Sequence, residues 1–215
     1  MAHPIHTILA PINTDHSTHV ALDKAERLAK HTGAKLHLLT STYDPIMQYA
    51  DFVSAHDLSQ LRQHVLTNKE TLINDLIATL DQTQCPCRGH VSFAPNIADA
   101  IDEIGDTLAV DLVIKRKSDD LSEINPFHTP TDRQCIRQAK RPLWLVSDED
   151  VDYQSIVVAI DPITHDDEHA KVNERLVYMT QWLAAHYDAQ VKFVHAYDPP
   201  IQTVGFEIAA FGYEE

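Results

Sequence analysis

Several side chains in this sequence are of types that bind metals or catalyse reactions, and their spacing decides which of them do so. Asp15, His16 and His19 lie within five residues, and His165 and His169 stand four apart, a spacing that puts two imidazoles on one helical face. A metal site needs three or four converging donors, and neither group has a third fixed by sequence. Both lie in polar, acidic helix-start regions, so solvated loop and capping roles are expected, and no metal. Cys85-Pro86-Cys87 is one residue short of the redox Cys-x-x-Cys spacing and reads as ordinary loop thiols. There is no Gly-x-Ser-x-Gly nucleophile elbow and no Walker loop. The acidic pairs Asp102-Glu103 and Asp119-Asp120 are adjacent, so on a helix they point apart and form solvated faces rather than acid/base pairs. A non-enzymatic protein is expected.

The elements around these residues alternate. Thr7 to Ile12 is a short apolar run ending in Asn13-Thr14-Asp15, the pattern of a buried strand. Apolar positions recur at helical spacing from Val20 to Ala29, with Ser17 as the expected cap and Gly33 past the end. Lys35 to Leu39 is the second strand. After Tyr43-Asp44-Pro45 the longest helix runs from about Leu58 to Leu80, with Leu61, Val65, Leu72, Ile73, Leu76 and Ile77 on one stripe. His90–Phe93 is the third strand, Ile97–Leu108 the third helix and Asp111–Ile114 the fourth strand. Thr129 then caps a helix with Pro130 first and Asp132 third, near the positive end of the dipole, and Pro142–Val146 is the fifth strand. Near-continuous apolar strands alternating with helices predict an α/β fold, a parallel doubly wound sheet covered on both faces.

The acidic run 148–153 reads as a linker, and the pattern then restarts. Ser155 to Pro162 echoes Thr7 to Thr14. A helix from about His169 to His186 follows, and Gln190 to Pro199 ends in the same Tyr-Asp-Pro as the second strand. A strand–helix–strand unit leaves a sheet edge unpaired and little core. Residues 154–215 are therefore expected to be an incomplete second copy of the domain in 1–147, needing further chain, the first domain or a partner.

The net charge of −15 argues against nucleic acid and against an anionic membrane surface. It divides as −7 over residues 1–150 and −8 over 151–215, so the shorter piece is more acidic per residue. No signal peptide or spanning helix is legible, and the three cysteines fit reduced thiols, which together predict a cytoplasmic protein. Tyr187, Phe193, Tyr197, Phe206, Phe211 and Tyr213 read as core for the half of the second domain that this sequence lacks, with an apolar ligand cavity or partner surface as the functional alternative.

The order of these segments resembles the universal stress protein (UspA) family, within it the tandem-domain UspE-like type. The resemblance rests on Thr7–Asn13, Leu38–Asp44, Val194–Asp198, Phe127–Asp132 with Arg137, Leu143–Val146 and Asn173–Val177. It implies a five-stranded sheet of order 3-2-1-4-5 with a ligand cleft at the switch point between strands 1 and 4. Many members bind ATP there, with an Asp after strand 1, a His-Val segment after strand 2 and a glycine loop after strand 4 that cradles the phosphates.

This chain departs from that pattern. Asn13 stands for the Asp, Thr42 for the Val, and Lys115, Arg116 and Lys117 begin a loop without glycine, followed by Asp119, Asp120 and Glu123. The first domain is therefore expected to be degenerate, with Asn13, Thr42, Lys115 and Arg116 as its cleft. In the second copy Asp161 and Ala196 match the adenosine-side positions. The resemblance thus implies a stress-response protein that is a non-catalytic scaffold or ligand sensor. The alternatives are an ATP-binding, possibly slowly hydrolysing switch through the second domain, or a carrier of a small apolar ligand. It also implies self-association or an intramolecular pseudo-dimer through the fifth strand, Leu143 to Val146.

Overall fold

The computed structural model describes residues 5–14, 19–42, 54–118, 131–149, 153–162 and 167–196, and the chain divides into two compact units, 1–150 and 151–215. In the first unit strands and helices alternate: β1 (Thr7–Pro11), α1 (Val20–Thr32), β2 (Lys35–Thr42), α2 (Ala55–Ala78), β3 (Cys87–Phe93), α3 (Ile97–Leu108), β4 (Leu112–Arg116), α4 (Thr131–Gln138) and β5 (Leu143–Val146). The strands form one parallel sheet of order β3-β2-β1-β4-β5, the order expected from sequence. The chain moves outward from β1 to β3, then returns to β4 on the other side of β1. Right-handed crossovers therefore put α1 and α2 on one face and α3 and α4 on the other.

Burial follows from that double cover. Every residue of β1 is buried. Leu9, Leu39 and Val113 meet Ala98 and Ile101 of α3 and Cys135 of α4 on one face. On the other face α2 comes down onto β3 at Gly89, where a Cβ would lie 2.9 Å from Ile73 Cγ2. The missing side chain lets helix and strand approach, so any larger residue must push α2 away.

Local chemistry sets the helix ends. Ser54 caps α2 by accepting from Asp57 N at 3.1 Å, and Asn96 caps α3 by accepting from Ala98 N at 2.9 Å. Gly33 ends α1 at φ +69°, donating its N–H to Ala29 O at 2.8 Å.

Several boundaries differ from the sequence reading. The residue before α1 is His19, which makes no side-chain cap, and Ser17 lies outside the described residues, as do Thr129, Pro130 and both Tyr-Asp-Pro tripeptides. In α2 Leu72 is 41% exposed, while Ile73 is buried. β3 begins at Cys87, so Cys87 is a buried strand residue and Cys85 is fully buried before it; neither is a loop thiol at the surface. Burial pushes the Cys87 thiol up to about 12, the form least reactive to oxidants. β4 runs on through Lys115 and Arg116, which are strand residues rather than loop. Asp102 is not merely solvated: Lys140 and Arg141 pair with it at 3.3 and 3.4 Å, binding α3 to the turn before β5.

The second unit has β6 (Ser155–Ala159), α5 (Asp167–Tyr187) and β7 (Gln190–Val194). The two strands are parallel, and Ser155 pairs with Gln190 as Thr7 pairs with Lys35. Val158 is buried and its neighbour Val157, pointing to the opposite face, is 61% exposed. Tyr153 and Tyr187 meet edge to face at 5.1 Å. Phe193 is 51% exposed; Tyr197, Phe206, Phe211 and Tyr213 lie outside the described residues.

Candidate functional site

Because the helix after β1 lies on one face of the sheet and the helix after β4 on the other, a crevice opens between the carboxyl ends of these two neighbouring strands. A cavity of about 450 Å³ occupies it. Its wall is Pro11 to Asn13 at the end of β1, Thr40 and Ser41 of β2, Lys69 of α2, Lys115 to Ser118 at the end of β4, and residues at the starts of α1, α3 and α4. Asn13, Lys115 and Arg116 thus share one cavity, while Thr42, the last residue of β2, is not in its wall. Thr40, 1% exposed, and Ser41 supply the polar groups there instead.

Lys69 was not singled out from the sequence, although a signal for it exists. It stands four residues after Val65 and four before Ile73, on the apolar stripe of α2 where Leu72 is not. Its aliphatic stem follows the core side, and its ammonium donates to Thr14 Oγ1 at 2.8 Å at the cavity wall.

Among the described residues the cavity wall carries Lys69, Lys115, Arg116 and Lys117 and no carboxylate, in a chain of net charge −15. Lys115 and Arg116 are committed to carboxylates. Lys115 Nζ donates to Asp132 Oδ1 at 2.6 Å, to Arg116 O at 2.8 Å and to Ser118 Oγ at 3.3 Å. Asp132 also accepts from Ser118 N at 2.7 Å and Ser118 Oγ at 3.0 Å. Burial alone would raise the Asp132 pKa. The bonds from Lys115 and Ser118 outweigh it and hold the carboxyl below its usual range. Arg116 grips Asp148 with Nε at 2.6 Å and with Nη2. Asp132 sits in the first turn of α4 as expected, but its carboxylate serves Lys115 and Ser118. Asp119, Asp120 and Glu123 lie outside the described residues.

In the second unit Asp161 follows β6. Asn173 holds its main chain from both sides, with Nδ2 donating to Asp161 O at 2.5 Å and Oδ1 accepting from Asp161 N at 3.3 Å. His195 Nδ1 lies 3.9 Å from the Asp161 carboxylate and 3.2 Å from Ile160 O. Asp161 and Ala196 are both exposed.

A further pair, a buried and a half-buried histidine, escaped sequence reading because its members are 53 residues apart. His37 Nδ1 and His90 Nε2 lie 2.9 Å apart between β2 and β3. Burial, with His90, Arg88 and Lys35 nearby, lowers His37 to about 4, and burial with Arg88 lowers His90. Two neutral imidazoles therefore share one hydrogen bond. Among the described residues no group of three or more His, Cys, Asp and Glu side chains could hold a metal; Asp15, His16 and His165 lie outside them. Among those residues no helix is long and apolar enough to cross a membrane.

The sequence model described as the universal stress protein family matches residues 4–147. The chain is 26% identical to the universal stress protein E homolog of Haemophilus influenzae over 96% of its length and 70% of that protein's. It is 24% identical to universal stress protein E of Escherichia coli K12 over 95% of its length, and spans 65% of that relative. Among solved structures, a functionally unknown protein of Pseudomonas aeruginosa PAO1 superposes with a TM-score of 0.65 at 21% identity, over 90% of this chain and 61% of that one. That likeness supports the fold.

Proposed function

This chain belongs to the universal stress protein family, and from that premise we propose that it acts in stress response as a non-catalytic sensor of a small polar ligand held in the cleft of the first unit. The observation that carries this reading is the 450 Å³ cavity at the switch point, walled by Asn13, Thr40 and Ser41 on its polar side. The ligand is of nucleoside size, and the cleft gains nothing from a triphosphate. No glycine follows Gly105 in the first unit to let backbone N–H groups close around phosphate, and Lys115 and Arg116 are held by Asp132 and Asp148. A thermal-shift titration of the full chain with adenosine tests this. Adenosine raises the melting temperature of the native chain, and Asn13→Trp, which fills the cavity, abolishes the rise. A rise that survives Asn13→Trp moves the ligand elsewhere.

Residues 154–215 open a second domain of the same fold after the acidic segment 148–153, in support of which β6–α5–β7 repeats the register of β1–α1–β2. The Asn173 clamp on Asp161 favours a second reading, an ATP switch working through that domain. It requires Asp161→Ala to weaken ATP binding by tenfold or more. Self-association runs through β5, an edge strand whose Leu143, Trp144 and Leu145 are only half-buried. Trp144→Glu then lowers the mass measured by light scattering to that of one chain.

A further inference from the structure

We propose that Asp132 decides the charge class of the ligand: paired with Lys115 it keeps anions out of the cleft and admits uncharged, hydroxyl-bearing molecules. The inference rests on the reading of the cleft as the ligand site and names what that site selects. An ammonium has three N–H donors. Those of Lys115 have three acceptors in reach, Asp132 Oδ1, Arg116 O and Ser118 Oγ, so the valence is filled before any ligand arrives. The side chains of Lys115 and Asp132 are 10% and 14% exposed, so the pair is poorly screened by water. A phosphate reaching Lys115 must displace one of these acceptors. It then faces the Asp132 carboxylate, which Ser118 fixes through two further hydrogen bonds, across a few ångströms of low-dielectric space. An uncharged ligand that hydrogen-bonds to Asn13, Thr40 and Ser41 meets no such penalty.

The relationship is reversible by one substitution. Without the Asp132 charge, Lys115 turns from a filled donor into an anion receptor in a wall that already carries Lys69, Arg116 and Lys117. Calorimetric titration of the full chain with tripolyphosphate tests this without reference to any nucleoside. Asp132→Asn is expected to bind tripolyphosphate at least tenfold more tightly than the native chain, and Lys115→Met in the same background to lose that gain. A folded Asp132→Asn chain with no gain overturns the proposal, as does a gain that survives Lys115→Met. Should Asp132→Asn not fold, the native chain decides: AMP is expected to bind at least tenfold more weakly than adenosine, and equal or tighter binding of AMP overturns the proposal. Absence of adenosine binding, together with a tripolyphosphate gain in Asp132→Asn, removes the sensor reading and leaves the role of Asp132 intact.

Discussion

The two units of this chain begin with the same strand–helix–strand pattern in the same register, yet bury it very differently. Leu9 pairs with His37 and Val157 with Lys192 at the corresponding step; Leu9 is fully buried and Val157 is 61% exposed. Leu38 and Leu39 are fully buried, while their counterparts Phe193 and Val194 are 51% and 46% exposed. The residues are similar in kind, so the difference lies in what surrounds them. In the first unit three more strands extend the sheet and α3 and α4 cover its second face; among the described residues of the second unit, α5 packs on both strands. An apolar strand therefore states that a strand is buried somewhere, and the number of partners decides whether it is.

The largest expected effect breaks this comparison outright. Residues 1–150 expressed alone unfold in urea as one cooperative transition, whereas 151–215 alone show none. A cooperative transition in the shorter piece would remove the distinction. Next in size, Leu9→Ala costs about 2–5 kcal/mol because it leaves a cavity under α3, while Val157→Ala costs less than about 0.5 kcal/mol. Urea midpoints of the two variants measure this, and equal losses would contradict the contrast in burial. Gly89→Ala comes third, at about 1–3 kcal/mol, since its Cβ meets Ile73; a loss near zero would mean that α2 shifts without cost.

The His37–His90 pair sharpens the comparison through pH. Its folded-state pKa values are depressed, so the unfolded chain binds more protons as the pH falls from 6.5, the ordinary histidine value, to about 4. The stability that the neutral pair contributes is therefore complete above that window and lost within it, by up to about 3 kcal/mol for His37. Arg88 and Lys35 nearby oppose the charged form further. Unfolding free energy followed against pH shows the slope, and His37→Gln flattens it. A slope unchanged by His37→Gln would assign it to other groups.

Much of the fold was legible because it is written in runs and periods. The strands of the first unit, their alternation with helices and the sheet order needed only apolar runs, crossover handedness and a family resemblance. What escaped was tertiary. Lys69 on an apolar stripe, His37 against His90 and the capture of Lys115 by Asp132 depend on strands and helices far apart in sequence meeting in space. The extension of β4 through Lys115 and Arg116 escaped for a related reason. Charged residues at the carboxyl end of a strand look like loop until their carboxylate partners, Asp132 and Asp148, are known.

Hydrogen exchange on the full chain, with and without saturating adenosine, tests most directly which unit holds the ligand. Exchange is expected to slow after β1 and β4 and at the end of β2, in peptides containing Asn13, Ser41 and Lys117, with no change around Asp161, Asn173 and His195. Slowing confined to the ends of β6 and β7 would contradict it and move the site to the second unit.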